Sequence, residues 1–153
     1  MNLGEGCVGG GVVNVDGVGL VIISRQTREA VISHARAALP AECCGILLGI
    51  KTRVVTVASA RNLASDPNRF LIDPKDHIDA RREGRRAGLD VVGFYHSHPR
   101  SAPVPSETDR LEAAYADHLY LIIGFVDTSA EMRLYRLSNG EFVDVPLDLD
   151  EAS

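Results

Sequence analysis

Apolar positions along the chain follow two periods, and their alternation sets out the predicted elements. Gly19-Leu-Val-Ile-Ile23 is a short continuous apolar run and predicts a strand. From Thr27 to Leu39 the spacing lengthens. Ala30, Val31, His34, Ala35 and Ala38 fall along one stripe of a helix, which Pro40 ends. Cys43 to Ile50 and Arg53 to Ala60 predict paired strands turning at Gly49-Ile-Lys-Thr52. A polar stretch follows from Arg61 to Pro74, with turn formers at Ser65-Asp66-Pro67-Asn68 and an apolar pair at Phe70-Leu71. A helix is predicted from about Lys75 to Gly88, then a buried strand through Val91-Val92-Gly93-Phe94-Tyr95. Pro99 cannot donate to a ladder, so that strand must stop there. Ser106 opens a further helix, expected to run to about His118. Strands follow at Leu119 to Val126, Glu131 to Leu137 and Glu141 to Val145, the last two joined by the hairpin signal Ser138-Asn139-Gly140.

The ends of the chain differ from this pattern. Seven of the fourteen glycines lie within the first nineteen residues, so 1–18 is expected to be a mobile lead-in with at most a weak strand. The acidic residues 148–153 are expected to fray. One domain over residues 19–147 remains, of α/β class, with a mixed sheet flanked by helices; no internal repeat, second domain or linker is visible.

Composition narrows the class without naming a function. A chain of 153 residues, 45% of them hydrophobic, suits one domain with a real core. The net charge is −5, and Arg81-Arg82-Glu83-Gly84-Arg85-Arg86 is its one basic cluster. That cluster predicts a solvated helix face, with a docking patch for an acidic protein as the other reading, and no nucleic-acid partner is expected. No stretch approaches the roughly 20 apolar residues of a membrane span, and no secretory signal pattern opens the chain. Three cysteines, two of them the neighbours Cys43 and Cys44, do not make a disulfide framework. A cytoplasmic protein without a membrane partner is the expectation.

Candidate chemistry centres on His96-Ser97-His98-Pro99, followed by Ser106-Glu-Thr-Asp109. Side chains two apart on a strand point to one face, so the two imidazoles can converge. Neutral imidazole is a common zinc ligand, and catalytic zinc sites usually take three protein ligands and a water. Asp109, in the first turn of the helix opened by Ser106, is the candidate third ligand. Two other readings stand beside this one. One takes the histidines as strand residues satisfied by hydrogen bonds, and the other takes Ser-x-x-Asp as a capping box for a helix start. A capping pair can also face a metal, so the readings are compatible.

At these residues the chain resembles the JAMM (MPN+) motif of the Mov34/MPN/PAD-1 metalloproteases, in its compact prokaryotic type. His96-Ser-His98-Pro99, six residues, Ser106, two residues and Asp109 match that motif. Upstream, Pro40-Ala-Glu42-Cys-Cys44-Gly45 is similar to the family's Pro-x-Glu-x-Cys-Gly segment. Without the downstream motif, Glu42 would pass for a surface carboxylate at a helix-to-strand junction. The resemblance runs from about Leu20 to Phe125 and implies a single MPN-like domain with a metal site at one end of the sheet.

It also implies roles. His96, His98 and Asp109 would hold one zinc ion per chain, with water in the fourth position. Glu42 would take a proton from that water during attack and pass it to the leaving amine, while Ser106 would stabilise the oxyanion. The chemistry agrees: zinc lowers the pKa of bound water to near 7, and a hydroxyl aimed at developing charge is worth about 10²–10³ in rate. Cys44 is expected to be a buried thiol rather than a fourth ligand, because four protein ligands would close the site. His34 is expected to be structural.

The implied reaction is hydrolysis of an amide bond after the C-terminal glycine of a ubiquitin-like or sulfur-carrier protein ending in Gly-Gly. Residues 62–72 are expected to border the groove, with the tail adding there as a strand. The alternatives are a non-catalytic MPN scaffold or interaction module, and a zinc hydrolase of an unrelated small amide. The carrier's identity, the choice of peptide or isopeptide bond and the oligomeric state stay open at this point.

Overall fold

Eight strands form one mixed sheet in the computed structural model, which describes residues 19–150. The glycine-rich segment 1–18, read above as a lead-in, lies outside the described residues. The elements are β1 (Val21–Ser24), α1 (Arg25–Ala38), β2 (Cys44–Ile50), β3 (Arg53–Ala60), α2 (Pro74–Arg86) and β4 (Asp90–His98), then α3 (Glu107–Glu112), β5 (Leu119–Val126), β6 (Ser129–Ser138), β7 (Glu141–Val145) and β8 (Leu147–Asp150). Their order across the sheet is β7-β6-β5-β4-β2-β3-β1-β8. Strand β1 runs parallel to β3 and β8, and β4 runs parallel to β5; the other pairs are antiparallel. The outermost strands β7 and β8 are separated in sequence by Pro146 alone. The sheet must therefore curl until its two edges nearly meet.

Each helix covers one face, as its stripe of small and apolar residues requires. Ser24 caps α1 by accepting from the Thr27 amide at 3.1 Å. Val31 and Ala35 of α1 then pack with Val21, Leu47, Tyr95 and Leu121 in one core. Asp73 caps α2 through the Lys75 amide at 2.9 Å. Ala80 of α2 joins Ile46, Leu48, Phe94 and Tyr120 on the opposite face. Each of these large apolar side chains contributes about 1.5–3 kcal/mol by leaving water. At the hairpin, Asn139 and Gly140 both take positive φ, 53° and 79°, as a tight turn matched to strand twist demands.

The central pairing of β4 with β5 depends on Gly93. A Cβ there would stand 2.2 Å from the Leu119 carbonyl oxygen, which belongs to rigid backbone. Gly93→Ala is expected to lower stability by about 1–3 kcal/mol, measured by urea denaturation. A midpoint unchanged from wild type would show that the strands can part without cost.

Two expectations are corrected. The acidic stretch does not fray through residue 150, and the domain boundary placed at 147 falls inside β8. Leu147 and Leu149 pack on the α1-side core while Arg53 pairs with Asp150 at 2.6 Å. The helix opened by Ser106 stops at Glu112 rather than near His118. Beyond it the Tyr115 ring packs on Phe94 with centroids 4.9 Å apart, and Asp117 takes a positive φ of 63°. Tertiary contacts of the aromatic side chain override local helix propensity here. Among the described residues, no helix is long and apolar enough to cross a membrane.

Candidate metal centre

The site lies at the C-terminal end of β4, on the face covered by α2. Alternation along β4 puts Phe94, His96 and His98 on that face, and the β2 register sets Cys44 opposite His96. His96 is 2% exposed and His98 is 7% exposed. Asp109 arrives from the first turn of α3, which has six residues and is far below the roughly 12–15 that an isolated helix needs. Its start is held by a reciprocal cap. Ser106 Oγ accepts from the Asp109 amide at 3.0 Å, and Asp109 Oδ2 accepts from the Ser106 amide at 2.9 Å. The cap reading and the ligand reading thus share Asp109, whose Oδ2 closes the cap and also faces the two imidazoles.

Three donor atoms meet at one point. His96 Nε2 and His98 Nε2 stand 3.3 Å apart, and Asp109 Oδ2 lies 3.2 and 3.1 Å from them. Two ligands about 2.1 Å from a tetrahedral ion are separated by about 3.4 Å, so the triangle has the size a zinc ion needs. The hydrogen-bond inventory points the same way. His98 Nδ1 donates to the Ala102 carbonyl at 3.1 Å, which leaves a lone pair on Nε2 of the neutral ring. That lone pair then faces a carboxylate oxygen and a second imidazole nitrogen. Only a cation, or protons held on the rings, makes such a cluster favourable.

The titratable groups of the cluster pull on one another. Burial opposes charging His98, but Asp109, the Ala102 carbonyl and Glu42 together raise its pKa. His96 is pulled down chiefly by burial, against the pull of Asp109. Burial also opposes ionising Asp109, yet the hydrogen bonds from both imidazoles and the Ser106 amide hold it well below the usual carboxylate range. Two imidazoles and one carboxylate suit zinc by ligand type. The residues present fit the ion.

Glu42 lies two residues before β2, 7% exposed, and its Oε1 is buried with no hydrogen-bond partner among the described residues. Burial pushes this carboxyl up to about 7; His98 opposes the shift, while Asp109 and Asp66 add to it. A buried carboxylate oxygen left unsatisfied costs free energy, which makes it a candidate for a role at the site rather than in the fold. Cys44 stays apart from the three ligands. Its thiol points to the Ala60 and Arg61 carbonyls, at 3.9 and 3.8 Å, and burial pushes its pKa up to about 12. Cys44→Ala is therefore expected to keep one metal per chain, measured by elemental analysis after dialysis; a fall towards zero would make the thiol a ligand. His34 is satisfied structurally, its Nδ1 lying 2.7 Å from the Tyr95 hydroxyl.

Several contacts at the site carried no signal in the residue pattern. Phe70 stacks on the His96 imidazole, centroids 4.3 Å apart and planes 18° from parallel. Arg69, beside it, forms an ion pair with Glu112 of α3. Ser97, between the two histidines but on the opposite face, accepts from the Cys43 amide at 2.8 Å. A cavity of about 500 Å³ opens next to His96 and Asp109, walled by Phe70, Ile72, His77, Phe94, Tyr115 and Tyr120.

Residues 24–138 match the Prok-JAB model, prokaryotic homologs of the JAB domain. The chain belongs to this family. It is a peptidase of the JAMM type. A desampylase of Haloferax volcanii is 41% identical over 107 residues, covering 65% of this chain and 77% of that one. A CysO-cysteine peptidase of Mycobacterium tuberculosis is 28% identical over 135 residues, covering 86% and 92%. A protein of Desulfitobacterium hafniense with a known solution structure superposes with a TM-score of 0.78 at 27% identity, covering 86% of this chain and 93% of its own. The mixed sheet with flanking helices is the JAB1/MPN fold.

Proposed function

We propose that this Prok-JAB protein hydrolyses the amide bond after the C-terminal glycine of a ubiquitin-like or sulfur-carrier protein, using one zinc ion per chain. The names of two relatives, a desampylase and a CysO-cysteine peptidase, support the substrate class. The observation that carries the mechanism is the unpartnered, buried oxygen of Glu42, whose carboxyl couples electrostatically to His98 and Asp109 of the three converging donors. His96, His98 and Asp109 hold the ion. Zinc, when bound, supplies Lewis acidity that acidifies water and polarises the scissile carbonyl.

The remaining work belongs to the chain. Glu42 takes a proton from the attacking water at Oε1 and delivers it to the leaving amine, so one water is consumed and an acid and an amine are released. Ser106 already uses its oxygen to accept the Asp109 amide, which leaves its hydroxyl proton free to donate to the negative oxygen that develops. The carrier's extended tail adds as a strand beside residues 62–72, where Leu63 and Leu71 present half-exposed apolar side chains.

The test is to incubate the zinc-loaded protein with Gly-Gly carriers joined to a free amino acid or to a lysine side chain, and to weigh the products. Release of the intact carrier, stopped by a chelator and restored by zinc, is expected. Turnover of a small amide with every carrier conjugate left whole would sink the carrier reading.

A further inference from the structure

We propose that Asn62 is a positioning residue for this reaction, clamping both the backbone of Glu42 and the loop over the metal ligands; this rests on the function proposed above. Asn62 follows β3 and forms an isolated antiparallel bridge with Ile72, closing the loop 62–72. All four hydrogen-bonding positions of its carboxamide are used. Nδ2 donates to the Glu42 carbonyl and to the Arg69 carbonyl, each at 3.1 Å. Oδ1 accepts from the Ala64 and Leu71 amides, each at 2.9 Å. One half-buried side chain thus ties three points of the loop to the residue proposed as base.

The two consequences are mechanical. Glu42 lies outside any strand, and the free Oε1 gives its side chain no anchor there, so its placement depends on its backbone. That backbone is held on one side by Ser97, through the Cys43 amide, and on the other by Asn62. The loop meanwhile touches the rest of the site through Phe70 on His96 and Arg69 on Glu112, one turn beyond Asp109. Asn62 therefore sets the distance between the base and the loop edge along which the tail would lie. An apolar residue could fill its space but could not donate to the Glu42 carbonyl. A displacement of about 1 Å in a reacting group costs on the order of 10²-fold in rate.

Two variants separate these parts. Asn62→Ala removes every bond; Asn62→Asp keeps the acceptors for Ala64 and Leu71 but loses both donors. Measured on Gly-Gly conjugates, kcat is expected to fall at least about tenfold in both. KM is expected to rise clearly in Asn62→Ala and less in Asn62→Asp, with one zinc per chain retained in both. Amide hydrogen exchange on the metal-free proteins supplies a readout independent of turnover. Both variants should speed exchange at Ala41 and Cys43, which flank Glu42, while Ala64 and Leu71 lose protection chiefly in Asn62→Ala. Wild-type kcat in Asn62→Ala, whatever happens to KM, would overturn the proposal, as would unchanged exchange at Ala41 and Cys43. If the wild-type protein cleaves no conjugate, the functional reading fails while the exchange result still decides whether Asn62 anchors Glu42.

Discussion

Glu42→Gln should remain folded and hold one zinc ion per chain, yet turn over a Gly-Gly conjugate about 10²–10⁴-fold more slowly than wild type. Glutamine has nearly the shape of glutamate and fits the same space, but its amide cannot accept and return a proton at neutral pH. His96, His98 and Asp109 are untouched, so metal content is the internal control. Retention of more than about a tenth of the rate would remove Glu42 from the role of base. The variant also has a signature in the metal-free protein. Burial raises the Glu42 carboxyl from 4.5 in the unfolded chain to about 7 in the folded one, so folded protein holds that proton where unfolded protein has lost it. The contribution to stability is complete below pH 4.5 and is lost as pH rises through about 7. With chelator present, Glu42→Gln should therefore melt above wild type at pH 8, and the gap should close near pH 5. A gap independent of pH would mean that the carboxylate is not buried at a cost.

Asp109→Asn should lose the ion. Structural zinc sites bind with about 10–16 kcal/mol shared over four ligands, so one ligand is worth about 3 kcal/mol, or at least 10²-fold in affinity. Asparagine keeps an oxygen that can accept from the Ser106 amide, so the start of α3 survives while the anionic ligand is gone. Competition with a chromogenic chelator measures the change, and circular dichroism checks the fold. His98→Ala should show the same loss, because its Nε2 stands 3.3 Å from His96 Nε2 and 3.1 Å from Asp109 Oδ2. Wild-type affinity in both variants would mean that the ion, if bound at all, sits elsewhere. Cutting the cap instead, with Ser106→Ala, costs about 1 kcal/mol of local stability and leaves all three donor atoms in place.

Local periodicity made much of this protein legible. Helical and strand spacings extend over a few residues, and the sequences of α1, α2, β5 and the Asn139-Gly140 turn follow them closely. His96 and His98 share a face because they are two apart on a strand, and Ser106 and Asp109 meet because they are three apart at a helix start. Each relation is written into neighbouring positions, which is why spacing and resemblance together point to these residues as candidate ligands.

Other features depend on which strands lie side by side. Fifty-four residues separate Glu42 from His96, and the antiparallel register that sets Cys44 opposite His96 brings them together. Phe70 lies on His96 because a loop closed by Asn62 folds back over β4, and no local pattern announces a stacking partner twenty-six residues away. The early end of α3 and the pairing of β8 with β1 have the same origin. Tyr115 found an aromatic surface, and Leu147 and Leu149 found a core, at a gain larger than the few tenths of a kcal/mol by which local propensity favours helix or fraying. The spacing of the motifs therefore marks His96, His98 and Asp109 as candidate donors, while long-range packing brings their atoms around one point and shapes the aromatic cavity beside it.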